Sequence, residues 1–258
     1  MPNFAVILPA AGKGRRFHDK AYKKPFAPLG GRAVWLHSAE RFLNRADVKQ
    51  LIVVIAAEDR DLFHLKFGAN VAILGVQVVE GGQERADSVQ RALEKLKDGI
   101  DFVAVHDAAR PCLVDPWIDD VFAAAERDGA AILAAPVAAT LKRVEESLSP
   151  GPSPKGRGIL RIIETVDRQS LWEAQTPQVF RRELLIRAYA QRGRDPVTDD
   201  SQLVERLGQA VTIVPCSPLN LKITTRDDLK LAEQVLKVLP KPKLEGFQHP
   251  FAGDDLWR

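Results

Sequence analysis

Cysteine is scarce in this chain, with two residues, Cys112 and Cys216, among 258. So sparse a supply excludes a disulfide-framed secreted scaffold and fits a reducing compartment in which packing holds the core, so both are expected to be small buried thiols. Long apolar runs are missing too. The first apolar run, residues 4–8, is shorter than the core of a signal peptide, and its positive charges follow it where a signal would carry them in front. No later run approaches the ~18 apolar residues of a membrane span. A soluble, cytoplasmic protein with no membrane partner is expected. An excess of one charge sign is also lacking: 37 Lys and Arg against 34 Asp and Glu leave +3, which argues against a general nucleic-acid or membrane-surface binder. The basic residues that do cluster, Lys13-Gly14-Arg15-Arg16 and Lys20 to Lys24, lie near the N-terminus. A local positive site of that kind suits a phosphate-rich small molecule better than a polymer.

What the chain does have is 45% hydrophobic residues, enough for a core, and a length that favours one domain, taken as residues 1–239. Short β-prone apolar runs at residues 4–8, 51–55, 71–79, 102–106 and 130–135 alternate with helical patterns. Runs buried on both faces mark a parallel sheet covered by helices, so the class is α/β, with a Rossmann-like, mostly parallel sheet flanked by helices. Residues 86–96 place Val89, Leu93 and Leu96 on one helical stripe. Thr225 and Asp228 form a capping-box-like start for a helix carrying Leu229, Ala232, Val235, Leu236 and Leu239.

The alternation breaks after Pro136. Two β-prone segments, residues 140–144 and 159–166, flank a Ser/Pro/Gly-rich insertion at 147–158, which reads as a β-arm over residues 137–170 projecting from the sheet. A two-stranded arm cannot bury its own apolar flanks, so a second subunit is expected to cover it, giving a homodimer through the arm. The tail, residues 240–258, holds three prolines and is expected to be extended.

The chemistry-bearing residues begin directly after the first strand, in the run LPAAGKGRRF at residues 8–17. Small residues there let backbone N–H groups approach phosphate oxygens, while Lys and Arg neutralise charge. A dinucleotide-binding turn would want a glycine at position 17, where Phe17 stands, and no Gly-Lys-Ser/Thr closes a P-loop. Basic residues continue at Lys20, Lys23 and Lys24, ahead of Pro25-Phe26-Ala27-Pro28-Leu29-Gly30-Gly31-Arg32. Gly81 and Gly82 lack a Cβ, which would let a flat base lie against the backbone beside Ser88. Asp107 ends the run 102–106, where ligands bind in open parallel sheets, and a carboxylate there suits Mg²⁺, which takes one or two protein oxygens plus phosphates.

The window from Leu8 to Arg32 resembles the signature of nucleotidylyltransferases that activate sugar or polyol phosphates. With Gly81-Gly82-Gln83-Glu84-Arg85-Ala86-Asp87-Ser88, His106-Asp107-Ala108-Ala109-Arg110-Pro111, Thr165-Val166-Asp167-Arg168, Thr176-Pro177-Gln178 and Lys222-Ile223-Thr224, the chain resembles the 2-C-methyl-D-erythritol 4-phosphate cytidylyltransferase family from about residue 4 to 239. The resemblance implies the nucleotide-diphospho-sugar transferase type of fold. It implies CTP bound by Pro9, Ala10, Ala11, Gly12, Gly14, Arg16, Lys24, Gly82, Arg85 and Ser88, with Lys23 the neighbouring alternative to Lys24. It places Asp107, Arg110, Thr140, Arg168, Thr176, Thr198 and Lys222 around the polyol phosphate, Asp107 as the Mg²⁺ ligand, and Arg168 in the partner subunit's site. Arg16, Lys24 and Lys222 are the implied catalytic cations, stabilising a five-coordinate phosphorus. Ala139 departs from the family, which commonly has Asp before the Thr, and Phe17 replaces a more usual methionine. The competing readings are a ribitol 5-phosphate cytidylyltransferase, a nucleotide-binding protein without catalysis and, more distantly, an NAD-dependent oxidoreductase.

Overall fold

The first strand is the hub because its residues leave it no solvent face: Phe4, Ala5, Val6, Ile7 and Leu8 are all fully buried. In the computed structural model, which describes residues 1–12, 23–147, 159–193 and 196–241, the elements follow in the order β1 (Phe4–Pro9), β2 (Pro28–Leu29), β3 (Arg32–Ala33), α1 (Val34–Leu43), β4 (Val48–Ile55), α2 (Arg60–Leu74), β5 (Gln77–Glu80), α3 (Arg85–Leu93) and β6 (Phe102–Val105). They continue with α4 (Asp115–Asp128), β7 (Ala130–Pro136), β8 (Leu141–Ser147), β9 (Ile159–Val166), β10 (Trp172–Arg181), α5 (Arg182–Ala190), α6 (Asp200–Glu205), β11 (Thr212–Pro215) and α7 (Arg226–Val238). Gly14, Arg16 and the rest of the basic loop, most of the 147–158 insertion and nearly all of the tail lie outside the described residues.

Seven strands form one sheet in the order β11-β7-β10-β6-β1-β4-β5. Every pairing in it is parallel except those of β10, which runs antiparallel to both β6 and β7. Alternate residues of β1 serve opposite faces, as the strand period requires. Phe4, Val6 and Leu8 pack with Trp35 and Phe42 of α1 and Ile118 and Phe122 of α4. Ala5 and Ile7 pack with Val89 of α3, Leu184 and Leu185 of α5 and Leu203 of α6. Each fully buried Phe or Leu of this kind contributes about 1.5–3 kcal/mol. The α/β class and the mostly parallel, helix-flanked sheet are therefore as the apolar runs implied.

The chain visits β1, β4 and β5 in one direction, then returns to lay β6 on the opposite side of β1. That reversal opens a crevice outside the carboxyl ends of β1 and β6, the place where open α/β sheets bind ligands.

Three expectations need correction or refinement. The run 71–79 is not one strand: α2 continues to Leu74, and Gly75, at φ 63°, ends it. The paired bonds Val76 N–H to Val71 O and Gly75 N–H to Ala72 O close the helix in a Schellman motif, leaving the strand only Gln77–Glu80. Cys112 is buried, as expected, but Cys216 is half-buried because it follows the edge strand β11. Burial pushes the two thiols up to about 12 and about 11, so both stay protonated and unpaired. The helix at 86–96 ends earlier, at Leu93, whereas the Thr225–Asp228 capping box is present as expected.

The arm exists as a separate two-stranded antiparallel sheet, β8 with β9. Its Val144, Leu160, Ile162 and Ile163 are 44%, 61%, 64% and 56% exposed, so the arm does leave apolar side chains uncovered in a single chain. No helix among the described residues is long and apolar enough to cross a membrane.

His37 of α1 gives the fold a pH dependence. Burial, with help from the Arg32 and Arg41 cations, lowers its pKa to about 4, although its Nε2 donates to the Leu29 carbonyl at 2.8 Å. A histidine whose folded pKa lies below its unfolded value binds more protons when unfolded, so its contribution is complete above the unfolded pKa and is lost as pH falls through the window down to about 4. Unfolding free energies from urea titrations across that window should decline with a slope that includes up to about 1.4 kcal/mol per pH unit from this group. In His37→Gln that part of the slope disappears, and an unchanged slope would refute the assignment.

Candidate active site

Four strand ends build the crevice. Pro9 closes β1, and Ala10 donates its N–H to Val54 O of β4 at 2.7 Å, which turns the chain across the sheet and brings Ala11 and Gly12 to the rim. Gly81, just past β5, donates to Ile55 O at 2.7 Å. A Cβ at Gly81 would lie 2.5 Å from Ser88 Oγ and 2.9 Å from Ala11 Cβ, and one at Gly82 would lie 2.3 Å from Asp87 Cβ. The double glycine is thus required by close approach, between the β1 loop on one side and the start of α3 on the other.

Ser88 is 1% exposed. Its hydroxyl donates to Glu84 O at 3.1 Å and accepts from Gly82 N–H at 3.2 Å, so it shapes the glycine turn while lining the crevice. The start of α3 is locked by a reciprocal capping box between Glu84 and Asp87. Arg192, at the end of α5, adds an ion pair to Asp87 Oδ1 at 2.8 Å.

Asp107 follows β6 and faces the crevice with three cations around it. Lys222 Nζ lies 2.7 Å from Oδ2, Arg85 Nε 3.5 Å from Oδ1 and Arg110 Nε 3.6 Å from Oδ2. Burial disfavours this charge, but the Lys222, Arg85 and Arg110 cations outweigh it and hold the carboxyl well below the usual carboxylate range. Its backbone N–H donates to Thr176 Oγ1 at 3.0 Å. Arg85 in turn reaches Asp200 Oδ2 at 2.7 Å.

The structure therefore brings together Pro9, Ala10, Ala11, Gly12, Lys24, Gly82, Arg85, Ser88, Asp107 and Lys222 around one crevice. Lys24 and Lys23 separate clearly. Lys24 opens the 3-10 turn Lys24–Phe26 and lines the crevice, whereas Lys23 turns away to Asp59 at 2.7 Å and Glu58 at 3.2 Å. Other expected residues sit elsewhere. Thr176 is 4% exposed and supports Asp107 from behind, so it does not present its hydroxyl to the crevice. Arg110 is largely buried and donates to Asn220 O at 2.6 Å. Thr140 is exposed at the base of the arm, where Arg168, also exposed, donates to Ala138 O. Thr198 is exposed in front of α6, its N–H on Gln202 Oε1 at 3.1 Å.

Sequence reasoning passed over Asp200, Tyr189 and Asn220, and named Gln178 within a motif without giving it a role. Asn220 bonds Gln175 Oε1 and Thr176 O, tying the segment that carries Lys222 to β10. Gln178 accepts from Asp200 N–H and Ser201 N–H. The motif Thr176-Pro177-Gln178 pointed to that region, but only the fold discloses its partners.

A glycine-lined crevice at the reversal of a mostly parallel sheet, walled by lysines and arginines, is the architecture of an α/β nucleotidyltransferase. Comparison with known proteins narrows the class. The family model described as 2-C-methyl-D-erythritol 4-phosphate cytidylyltransferase matches residues 4–238. The enzyme of that name from Rhodopirellula baltica is 41% identical over 244 residues, covering 90% of this chain and 94% of its own, and that from Bacillus velezensis is 40% identical over 238 residues, covering 91% and 96%. The crystal structure of the Thermus thermophilus enzyme superposes with a TM-score of 0.68 at 30% identity, covering 92% of this chain and all of its own. The chain belongs to the 2-C-methyl-D-erythritol 4-phosphate cytidylyltransferase family.

Because the space at Gly81 is already filled, Gly81→Ala should force the β1 loop and α3 apart. The expected cost is about 1–3 kcal/mol of stability, as for other overpacking changes, with CTP protection against thermal unfolding reduced. Retention of both wild-type values would show that the β1 loop and α3 approach each other less closely at this point.

Proposed function

We propose that the protein transfers the cytidylyl group of CTP to 2-C-methyl-D-erythritol 4-phosphate, giving 4-diphosphocytidyl-2-C-methyl-D-erythritol and pyrophosphate, a step of non-mevalonate isoprenoid precursor synthesis. The observation that carries this reading is the ionised Asp107 carboxylate at the crevice, gripped by Lys222, Arg85 and Arg110, with Lys24 on the same wall. Membership of the family supplies the identity of the substrates.

In this reading an oxygen of the acceptor's phosphate attacks the α-phosphorus of CTP. The new P–O bond forms as the bond to the bridging oxygen breaks, and pyrophosphate carries away the electron pair. The attacking phosphate is already anionic near neutral pH, so no strong general base is required. The residues' work is alignment and charge stabilisation. Pro9, Ala10, Ala11, Gly12 and Gly82 offer close backbone approach to the nucleotide, Ser88 keeps the glycine turn in shape, and Arg85 and Lys24 meet phosphate charge. Lys222 stands beside Asp107 where the two substrates meet. Arg16 and Gly14 join the triphosphate side by family resemblance.

Mg²⁺ belongs to the same proposal. Asp107 fits it as the single protein ligand, because Oδ2 is engaged by Lys222 at 2.7 Å whereas Oδ1 meets Arg85 only at 3.5 Å. When bound, the ion supplies charge neutralisation to the triphosphate. The acceptor side extends to Arg110, Thr140 and Thr198, with Thr176 holding Asp107 from behind, and to Arg168 lent by a second copy of the chain, whose arm would cover the apolar side chains left exposed here.

The direct test is pyrophosphate release with CTP and methylerythritol phosphate or ribitol phosphate, with UTP and ATP as controls. Activity with ribitol phosphate alone would overturn the acceptor assignment, and none with either acceptor would overturn the transferase reading. Lys24→Ala should lower kcat by roughly two to three decades with folding intact, whereas Lys23→Ala should leave turnover within about threefold of wild type. Shared sites have their own signature. Mixing inactive Lys24→Ala and Arg168→Ala chains should restore about a quarter of wild-type activity through heterodimers with one complete site. No recovery after subunit exchange would exclude the shared site.

A further inference from the structure

Asp200 is a charged residue with no solvent exposure, and it reaches the crevice lining through Arg85. A buried ionised carboxylate is costly unless its oxygens are paired. Here both are used: Oδ2 takes Arg85 Nη2 at 2.7 Å and Oδ1 takes the Tyr189 hydroxyl at 2.5 Å. The backbone beneath is fixed as well, because the Asp200 and Ser201 N–H groups both donate to Gln178 Oε1, at 3.0 and 2.9 Å. Asp200 therefore cannot follow a moving partner. The partner must come to it.

Arg85 stands between two carboxylates. Asp107 faces the substrates at 3.5 Å, and Asp200 lies behind at the shorter 2.7 Å. The stronger hold is the one farther from the chemistry. Were Asp200 uncharged, the Arg85 guanidinium would be drawn onto Asp107, spending there the donors that now face the crevice.

We propose that Asp200 is a positioning residue that anchors Arg85 from behind, so that the α5–α6 region sets CTP affinity without touching the substrate. The inference rests on the CTP reading above. A second tie from the same region supports it: Arg192 at the end of α5 holds Asp87 at 2.8 Å, so α5 and α6 together fix the start of α3, where Arg85 sits. Tyr189 acts through Asp200, and with burial and that carboxylate both raising its pKa it remains a proton donor.

Asp200→Asn preserves shape and removes the charge. The KM for CTP should rise about ten- to thirtyfold, as expected for loss of one charge-assisted hydrogen bond, while kcat and the KM for the acceptor stay within about threefold. In an Arg85→Ala background the same change should alter the CTP KM by less than about twofold, since the two residues act as a unit. An unchanged CTP KM in active Asp200→Asn, or an equal rise with and without Arg85, would overturn the proposal. A merely structural role would lower the melting temperature and the active fraction without moving KM. Should Asp200→Asn fail to fold, Tyr189→Phe decides the matter: a rise of about two- to fourfold in CTP KM supports the anchor, and no rise overturns it. Should the wild type turn over no acceptor, calorimetric titration with CTP reads the same ratios as Kd, which keeps failure of the anchor separate from failure of the transferase reading.

Discussion

An ionised carboxylate with almost no access to water must be surrounded, and two of the three cations that surround Asp107 come from distant parts of the chain. Lys222 arrives from the segment before α7, Arg85 from the start of α3 and Arg110 from the turn that follows β6. Burial works against the charge, and the three cations more than compensate, so the carboxylate stays ionised through the physiological range. Removing one partner from such a cluster costs far more than an exposed pair would, since the remaining charge is left short of compensation. The core places β6, but this cluster fixes what stands at its end.

The reversed strand β10 is what makes the cluster possible. Its antiparallel register pairs Gln178 with Val105, and carrying that register on brings Thr176 opposite Asp107. Thr176 Oγ1 then accepts the Asp107 N–H, and also meets His106 Nδ1 at 3.1 Å. The Thr176 carbonyl accepts from Asn220, two residues before Lys222. At its other side Gln178 secures the start of α6 and so Asp200. One antiparallel strand thus reaches both ends of the charge network, because it starts at the crevice end of β6 and runs back alongside it.

Legibility in the sequence followed the range of the interaction concerned. The strands β1, β4, β6 and β7 were readable because each is a short apolar run buried on both faces, a local signal. The Thr225–Asp228 cap was readable for the same reason. The run 71–79 misled because Val71 to Leu74 carry apolar side chains suited to either state, and only the left-handed Gly75 divides helix from strand. β10 went unread because Glu173, Gln175, Thr176, Pro177 and Gln178 break its apolar pattern, with Gln175, Thr176 and Gln178 spent on Asn220, Asp107 and α6. Within the site, Gly82, Lys24, Asp107 and Lys222 stand in motifs with recognisable spacing. Asp200 does not: its meaning lies in Arg85, far away in sequence, and nothing beside it announces the pairing.

The same pairing explains why bulk charge said so little about the site. A crevice that takes a triphosphate, as proposed above, needs cations, yet the chain carries only +3. Lys222 and Arg85 are each matched by a carboxylate within the protein, Asp107 or Asp200. Matched charges cancel in the total but not in space, because each carboxylate is buried behind or beside a cation that lines the crevice. The pairs hold those cations in place before any substrate arrives, so the field that meets the incoming phosphates requires little reorganisation. Internal neutralisation and a preorganised cationic wall are, in this arrangement, one and the same set of contacts.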